Sequence, residues 1–579
     1  MSQAAGIEYR YGPYAANTAS APSWWKRDDI EFTKAQQPNA GGPVRGFWQI
    51  GAWQPDPGDY YSNIANAAFV ADSPAQYAGV STLGTTSMGA NTFAQLPQLS
   101  WVFGGAGDED PNIASYKSAK LDANNAVAMA RCSGRPGWCL ESIVAFQNGL
   151  LGVATGSNTA QNQATTQLAP GLVPTGIAVT NSNEFALVTV WDTVALRGRV
   201  AVVALAGICN GCSLTQASAE NYWGEWSTAH PGLPNYGNTA FMKVLGYVDL
   251  PGMQAPTEIS VTTGWNPWDG RTVDAGAGTS YVDAFHLPLS DAANRASFLT
   301  GSNAKAYAKA GVAVVISKSE KKAAFIDLKP LFAYYQKMYF TDANYGKTTN
   351  LGQAAGQWPY TFAEEASQLP TVIKTVSLDQ TPTAVKTYLW GSTKRAWIAT
   401  QDGSLRIFDL GDYPTSGTGS AASIRQTGSV AVGKNPTGLA YSRSADGVVT
   451  GNAINTNLLV VSRAERKVDW VSFGSDGNSG TITRTLRDSR LIDPITADDN
   501  ESHGTEAYVL SVADYNGKAI SNYRYGPVIF RTNVRPGWSC QPPGGCPTTD
   551  SAGRAAAFEF GGSFPTKGKA FAISSANVP

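Results

Sequence analysis

Charge is scarce in this chain. Only 15% of its 579 residues are Asp, Glu, Lys or Arg, and the formal net charge is −1, whereas an average soluble chain carries roughly 25% charged residues. No segment holds a basic run, so the clustered field that grips phosphate backbones is missing and nucleic acid is not expected as a partner. Histidine is scarcer still. His230, His286 and His503 are far apart and form neither an HxH nor an HExxH arrangement, which argues against a multi-histidine metal centre. No G-x-S-x-G elbow and no glycine-rich phosphate loop opens a helix. The longest apolar stretch, around 200–208, falls far short of the roughly 20 residues that span a bilayer, so no helical membrane span is expected. The first 20 residues have neither a basic n-region nor an apolar h-region; either the protein is cytosolic or a leader once preceded Met1.

The few cysteines bear on that choice. They form three close pairs, Cys132 with Cys139, Cys209 with Cys212, and Cys540 with Cys546, each bracketing turn-forming residues. An even count with no thiol left over suits oxidised, exported proteins, and local disulfides are the expectation. The Cys209-Asn-Gly-Cys212 step also has the form of a redox dithiol or half a zinc site. It follows a strand-like run instead of opening a helix, and no second CxxC supplies the other zinc ligands. The expected location is therefore secreted, periplasmic or cell-surface.

What the chain does have is turn residues and β-formers. It holds 60 Gly and 32 Pro beside 43% apolar residues, the profile of short strands joined by many tight turns. One pattern recurs, an x-Pro-Thr step that opens a strand: Val173-Pro174-Thr175-Gly176-Ile177, Ala255-Pro256-Thr257-Glu258-Ile259, Thr381-Pro382-Thr383-Ala384-Val385 and Asn435-Pro436-Thr437-Gly438-Leu439, with a weaker copy at Asp493-Pro494-Ile495-Thr496. Proline is tolerated at a strand's first position because no ladder N–H is needed there. Second, third and fourth strands are legible behind these steps, the second strands as the runs 185–191, 395–400 and 458–462, and three or four antiparallel strands per repeat make a propeller blade. Pro382 and Pro436 lie 54 residues apart and Pro436 and Pro494 lie 58 apart; the wider gaps before them require long excursions. The expected fold is thus all-β, a β-propeller of seven blades with six or eight as alternatives. An extended arm over 1–43 precedes a single propeller domain over 44–579, with partly helical insertions around 215–240, 264–310 and 329–370, in which 291–308 and 329–340 are expected to be helical. Echoes between the chain ends, such as Tyr9–Pro13 and Tyr523–Pro527, suit a ring closed by mixing N- and C-terminal strands.

The stretch 435–473, with N-P-T-G-L-A-Y followed by N-L-L-V-V-S-R-A-E-R-K-V-D-W-V-S-F, resembles the YVTN-type, lactonase-like propeller repeat, and 185–205 and 395–410 are similar to it. The resemblance implies the architecture. Members include lactonases, surface-layer proteins and binding scaffolds, so it does not assign an activity, and no catalytic residue of the family matches a position here.

Two groups of residues are candidate sites. Asp108, Asp110 and Asn112 place oxygen ligands at alternate positions, as the start of a calcium loop does, although Ile113 and Ala119 break the EF-hand pattern; a solvated acidic turn is the plain alternative. Asp498-Asp499-Asn500-Glu501 is a second acidic cluster. The 16 Trp, 24 Tyr and 21 Phe are the second group. Trp223, Trp226, Trp265 and Trp268 sit beside Asn, Asp and Glu in turn-rich segments and are candidate ligand-binding residues for a sugar or a protein at the cell surface. Other rings are expected to wedge between blades. The preferred reading is an exported, non-catalytic propeller that binds a glycan or protein through aromatic loops. The alternatives are a carboxylate- or Ca²⁺-dependent hydrolase or lactonase at the central channel, and a self-assembling subunit of a surface layer or filament.

Overall fold

The computed structural model describes residues 67–72, 80–83, 98–100, 102–103, 120–122, 126–131, 141–155, 162–163, 165–208, 230–234, 238–264, 271–273, 281–283, 287–301, 303–349, 356–387, 394–441, 458–501, 508–525, 559–565 and 569–576. The arm 1–43 lies outside them. Six antiparallel four-stranded sheets follow one another along the chain. We call them blades I to VI, and their first strands are Ala126–Arg131, Leu172–Val179, Glu258–Thr262, Pro382–Thr387, Pro436–Tyr441 and Pro494–Glu501. Each first strand is the edge of its sheet and packs beside the first strand of the next blade. A three-stranded sheet joins the C-terminal strand Ala570–Ala576 to Ala67–Asp72 and Val80–Leu83. Ala570–Ala576 packs between the first strands of blades VI and I. The ring is closed by N- and C-terminal strands together, which removes its open edge. The expectation of seven blades is corrected to six complete ones: among the described residues the closing sheet has three strands, two from the N-terminal part of the chain and one from its end.

The repeat step has a structural meaning. In blades II, IV, V and VI the ladder slips by one residue just after the proline, leaving Thr175, Thr383, Thr437 and Ile495 as bulged residues. A bulge bends the first strand locally and increases its twist. Two of these threonines then tie neighbouring blades: Thr175 Oγ1 donates to the Pro256 carbonyl at 2.8 Å and Thr437 Oγ1 to the Ile495 carbonyl at 2.7 Å. Gly438 follows the bulge because a Cβ there would stand 2.8 Å from Thr496 Cα and 2.9 Å from the Ile495 carbonyl. Backbone cannot step aside as a flexible side chain can, so the close approach needs glycine.

The large rings fill the space between blades and beneath the insertions. Trp397 of blade IV stacks on Phe473 of blade V at 4.8 Å, and Trp358, Trp397 and Trp470 are fully buried. The insertions leave blades II and III from the end of the channel opposite the proline steps. The expected helix Lys329–Phe340 is present, and Ala292–Leu299 is the helical part of the preceding excursion. Lys329–Phe340 lays Phe332 and Tyr335 edge-on against Phe185. Its Tyr339 hydroxyl accepts from Trp358 Nε1 and donates to the Pro231 carbonyl, both at 2.9 Å. His230 packs on the same ring.

This cover buries the polar hairpin 180–184 of blade II. Glu184 Oε2 accepts from Thr180 Oγ1 at 2.6 Å and from the Ser182 amide at 3.1 Å, while Oε1 has no hydrogen bond to a described residue. Burial raises its pKa from 4.5 to about 6. The folded state therefore holds the proton more tightly than the unfolded chain, so the stabilisation is present below pH 4.5 and is lost as pH rises through 6. The variant Glu184→Gln removes this term. In denaturant titrations at pH 5 and pH 8, its stability relative to wild type is expected to rise by about 1 kcal/mol across that interval; equal differences at the two pH values would contradict the assignment.

Candidate functional site

The edges of the first strands surround a central channel of about 550 Å³. Most of its wall is backbone and small apolar side chains, and a few ionisable groups stand out: Glu258, Lys318, Lys386, Tyr441, Arg463 and Asp498. The repeat explains how they reach it. Residues after the x-Pro-Thr step or its equivalent occupy successive levels of the wall. At the first level blades II, III, V and VI carry Gly176, Glu258, Gly438 and Thr496, the equivalent Ala384 of blade IV being buried; two residues on, blades II to VI carry Ala178, Ser260, Lys386, Ala440 and Asp498. Lys318 and Arg463 are the first residues of the turns between second and third strands in blades III and V, so they project at the mouth where the proline steps lie.

Glu258 is held from two sides. Its Oε1 accepts from the Val385 amide of blade IV at 3.1 Å, and Oε2 lies 3.7 Å from Lys318 Nζ. Burial pushes its carboxyl above the ordinary value, against the opposing pull of Lys318, the Val385 N–H and Lys386. Below it in the chain, Ser260 Oγ accepts from the Thr387 amide at 3.0 Å. Glu258 and Ser260 thus saturate two edge amides of blade IV that would otherwise face the channel. Lys386 Nζ stands 4.6 Å from the centre of the Tyr441 ring of blade V, a cation–π contact. The Tyr441 hydroxyl donates in turn to the Thr387 carbonyl. Three consecutive blades therefore present a carboxyl, an ammonium and the ring that fixes the ammonium. Arg463 makes a two-point pair with Asp493, at 2.5 and 2.7 Å, which leaves it a smaller part in the channel's free charge.

Trp223, Trp226, Trp265 and Trp268, the cysteines at 132, 139, 209, 212, 540 and 546, and Asp108, Asp110 and Asn112 all lie outside the described residues. The second acidic cluster, 498–501, runs in the strand Pro494–Glu501, registered against 508–511. Among the described residues no group of three or more His, Cys, Asp or Glu is placed to hold a metal ion. Sequence reading missed Glu258, Lys386 and Tyr441, although one signal was available. Glu258 is the only charged residue at a repeat position that elsewhere reads Gly, Ala, Gly and Thr.

No family profile matches this chain. No curated protein matches it either. Among solved structures it is similar to the periplasmic gluconolactonase of Pseudomonas aeruginosa, with 11% identity, coverage of 89% of this chain and 99% of that one, and a TM-score of 0.40. It is also similar to a Bacteroides fragilis protein described as a candidate 6-phosphogluconolactonase, with 9% identity, coverage of 88% and 97%, and a TM-score of 0.39. A Lactobacillus plantarum protein gives 10% identity, coverage of 77% and 98%, and a TM-score of 0.32. The likeness is to lactonase-like propellers, and it is one of fold alone. At these scores it carries no argument beyond that, and the propeller itself rests on the strand pairing above. The expectation of a non-catalytic glycan or protein binder is corrected here. The central channel built by the described residues has ionisable walls and is not an aromatic loop face. No helix among the described residues is long and apolar enough to cross a membrane.

Proposed function

We propose that the chain is a hydrolase that opens a lactone or similar cyclic ester in its central channel, with Glu258 as general base. The observation that supports this reading most is the seating of Glu258: one oxygen is fixed by the Val385 amide, the other faces Lys318, and burial raises the carboxyl above its usual range. A base works best when its pKa approaches the working pH, and burial moves a carboxylate in that direction. In the proposed step Glu258 Oε2 takes a proton from a water as that water adds to the lactone carbonyl. The ammonium groups of Lys318 and Lys386 offset the negative charge that develops on the carbonyl oxygen. The ring C–O bond then breaks, and Glu258 returns the proton to the departing alkoxide. One water is consumed and one hydroxy acid is released. The test is pH-stat hydrolysis of a lactone panel that includes gluconolactone, comparing wild type, Glu258→Gln and buffer. Wild type that hydrolyses no lactone faster than buffer, or Glu258→Gln that equals wild type, would end the reading.

We also propose that the protein is exported with its cysteines paired. Thiol titration in denaturant without reductant is expected to find no reactive cysteine, and six after reduction. Six reactive thiols before reduction would overturn export.

A further inference from the structure

The turn between second and third strands ends in the same conformation in every described blade. The residue just before the third strand has positive φ: Gly149 at 85°, Leu196 at 51°, Lys321 at 53°, Gly403 at 92°, Arg466 at 51° and Lys518 at 49°. Glycine is the unstrained choice there, and blades I and IV use it. Blades III, V and VI place a basic residue in the left-handed conformation instead. Lys321, Arg466 and Lys518 are all exposed, and none pairs with a described carboxylate. Strain kept at equivalent positions of three blades points to a use for the side chains.

These turns share one end of the propeller, the end of the proline steps and of Lys318. The carboxylates at that end are mostly turned into their own loops. Asp192 accepts from the Val194 and Ala195 amides, Glu320 from the Gln254 and Ala255 amides, and Asp514 from the Ile492, Asp493 and Gly517 amides. The outward ones are Asp249, Asp379 and Asp402: Asp249 pairs with Arg197 and Arg199, Asp379 pairs with Arg406, and Asp402 accepts from Thr400 Oγ1 beside the glycine tip of blade IV. The same end carries a second, independent feature. Val194, Leu196 and Ile492 are the most exposed large apolar side chains among the described residues, at 81%, 63% and 53%. All three lie on turns of this face and none on the insertions opposite.

We propose that this face docks on an anionic phospholipid surface. Cations spread over three blades lie too far apart to converge on one small molecule, whereas a planar array of headgroups meets them together. Exposed aliphatic tips beside cations are what an interface with acyl chains beneath it rewards. The proposal is independent of the hydrolase reading, because none of Lys321, Arg466, Lys518, Val194 or Leu196 is placed in the channel chemistry.

The test is sedimentation of the full chain with vesicles of phosphatidylcholine alone and with one-third phosphatidylglycerol, at low and at physiological salt. Binding only to the anionic vesicles, weakened by salt, is the expected result. The triple variant Lys321→Gly, Arg466→Gly, Lys518→Gly should lower that affinity on the order of 100-fold, at roughly fivefold per cation. Glycine relieves the positive φ, so this variant should melt no lower than wild type and retain any lactone hydrolysis measured without vesicles. Leu196→Asp should weaken binding separately. No binding to anionic vesicles, or equal binding by the triple variant, would overturn the proposal. Binding to a soluble polyanion such as dextran sulfate but not to vesicles would overturn it in favour of an acidic polymer as the partner.

Discussion

Glu258→Gln is expected to lower the rate of lactone hydrolysis by roughly 10²- to 10⁴-fold, the usual contribution of a positioned general base, with the fold left intact. Glutamine keeps an oxygen that can accept from the Val385 amide, the contact that Glu258 Oε1 makes at 3.1 Å, so blade IV retains the partner for its edge. What disappears is the ionisable oxygen facing Lys318. The pH profile of wild type adds a second readout. The working form is the carboxylate, so kcat/KM should fall as pH drops through a value above the ordinary carboxylate 4.5, the direction in which burial moves Glu258. Lys318 pulls against that shift, so Lys318→Met should move the acid limb to higher pH. A residue with only a structural role would move the melting temperature and leave this limb in place. Circular dichroism and thermal melts of each variant separate the two cases.

Trp397→Ala is expected to cost about 3–5 kcal/mol of stability, the range for removing a fully buried tryptophan. Trp397 is 1% exposed. Its ring is the wedge between blades IV and V, packed with Leu405, Ile407 and Val430 on one side and with Leu458, Val460, Val471 and Phe473 on the other. Alanine leaves a cavity that two sheets fixed by their hydrogen-bond ladders cannot close, so the lost contacts are not regained by relaxation. Trp397→Phe keeps a ring against Phe473 and should cost less than half as much. Equilibrium denaturation by urea checks both variants. A loss below about 1 kcal/mol for Trp397→Ala would show that the blades are held by their ladders, with little from the wedge. The same result would weaken the view that the chain's many aromatics are mainly structural.

Much of the fold could be read from the sequence, for a physical reason. A strand that is half or fully buried must place its side chains with period two, and a tight turn must supply residues that tolerate it; both constraints act between near neighbours. The x-Pro-Thr steps therefore marked the first strands correctly. The runs at 185–191, 395–400 and 458–462 marked the second strands to within a residue. The expected helix at 329–340 also appears, since Pro330 suits the first turn and its buried face repeats at helical spacing. The number of complete blades was misjudged because the closing sheet draws on both ends of the chain, and no local pattern records that partnership.

The functional reading went astray because it followed composition. Tryptophans in turn-rich segments draw attention one segment at a time, whereas the channel is assembled from single residues contributed by strands far apart in sequence. Glu258 and Val385 are 127 residues apart and Tyr441 and Thr387 are 54 apart, yet ring closure brings each pair into hydrogen-bonding distance. By itself the sequence determined the repeating antiparallel blade, its glycine and proline punctuation and the burial of its rings, because those follow from contacts a few residues long. Only the tertiary structure decided that a carboxyl, an ammonium and a phenol ring meet at the axis, and that basic and aliphatic turn tips gather at one end. Closing the ring turns residues that are equivalent in sequence into neighbours in space, and a linear reading has no such closure.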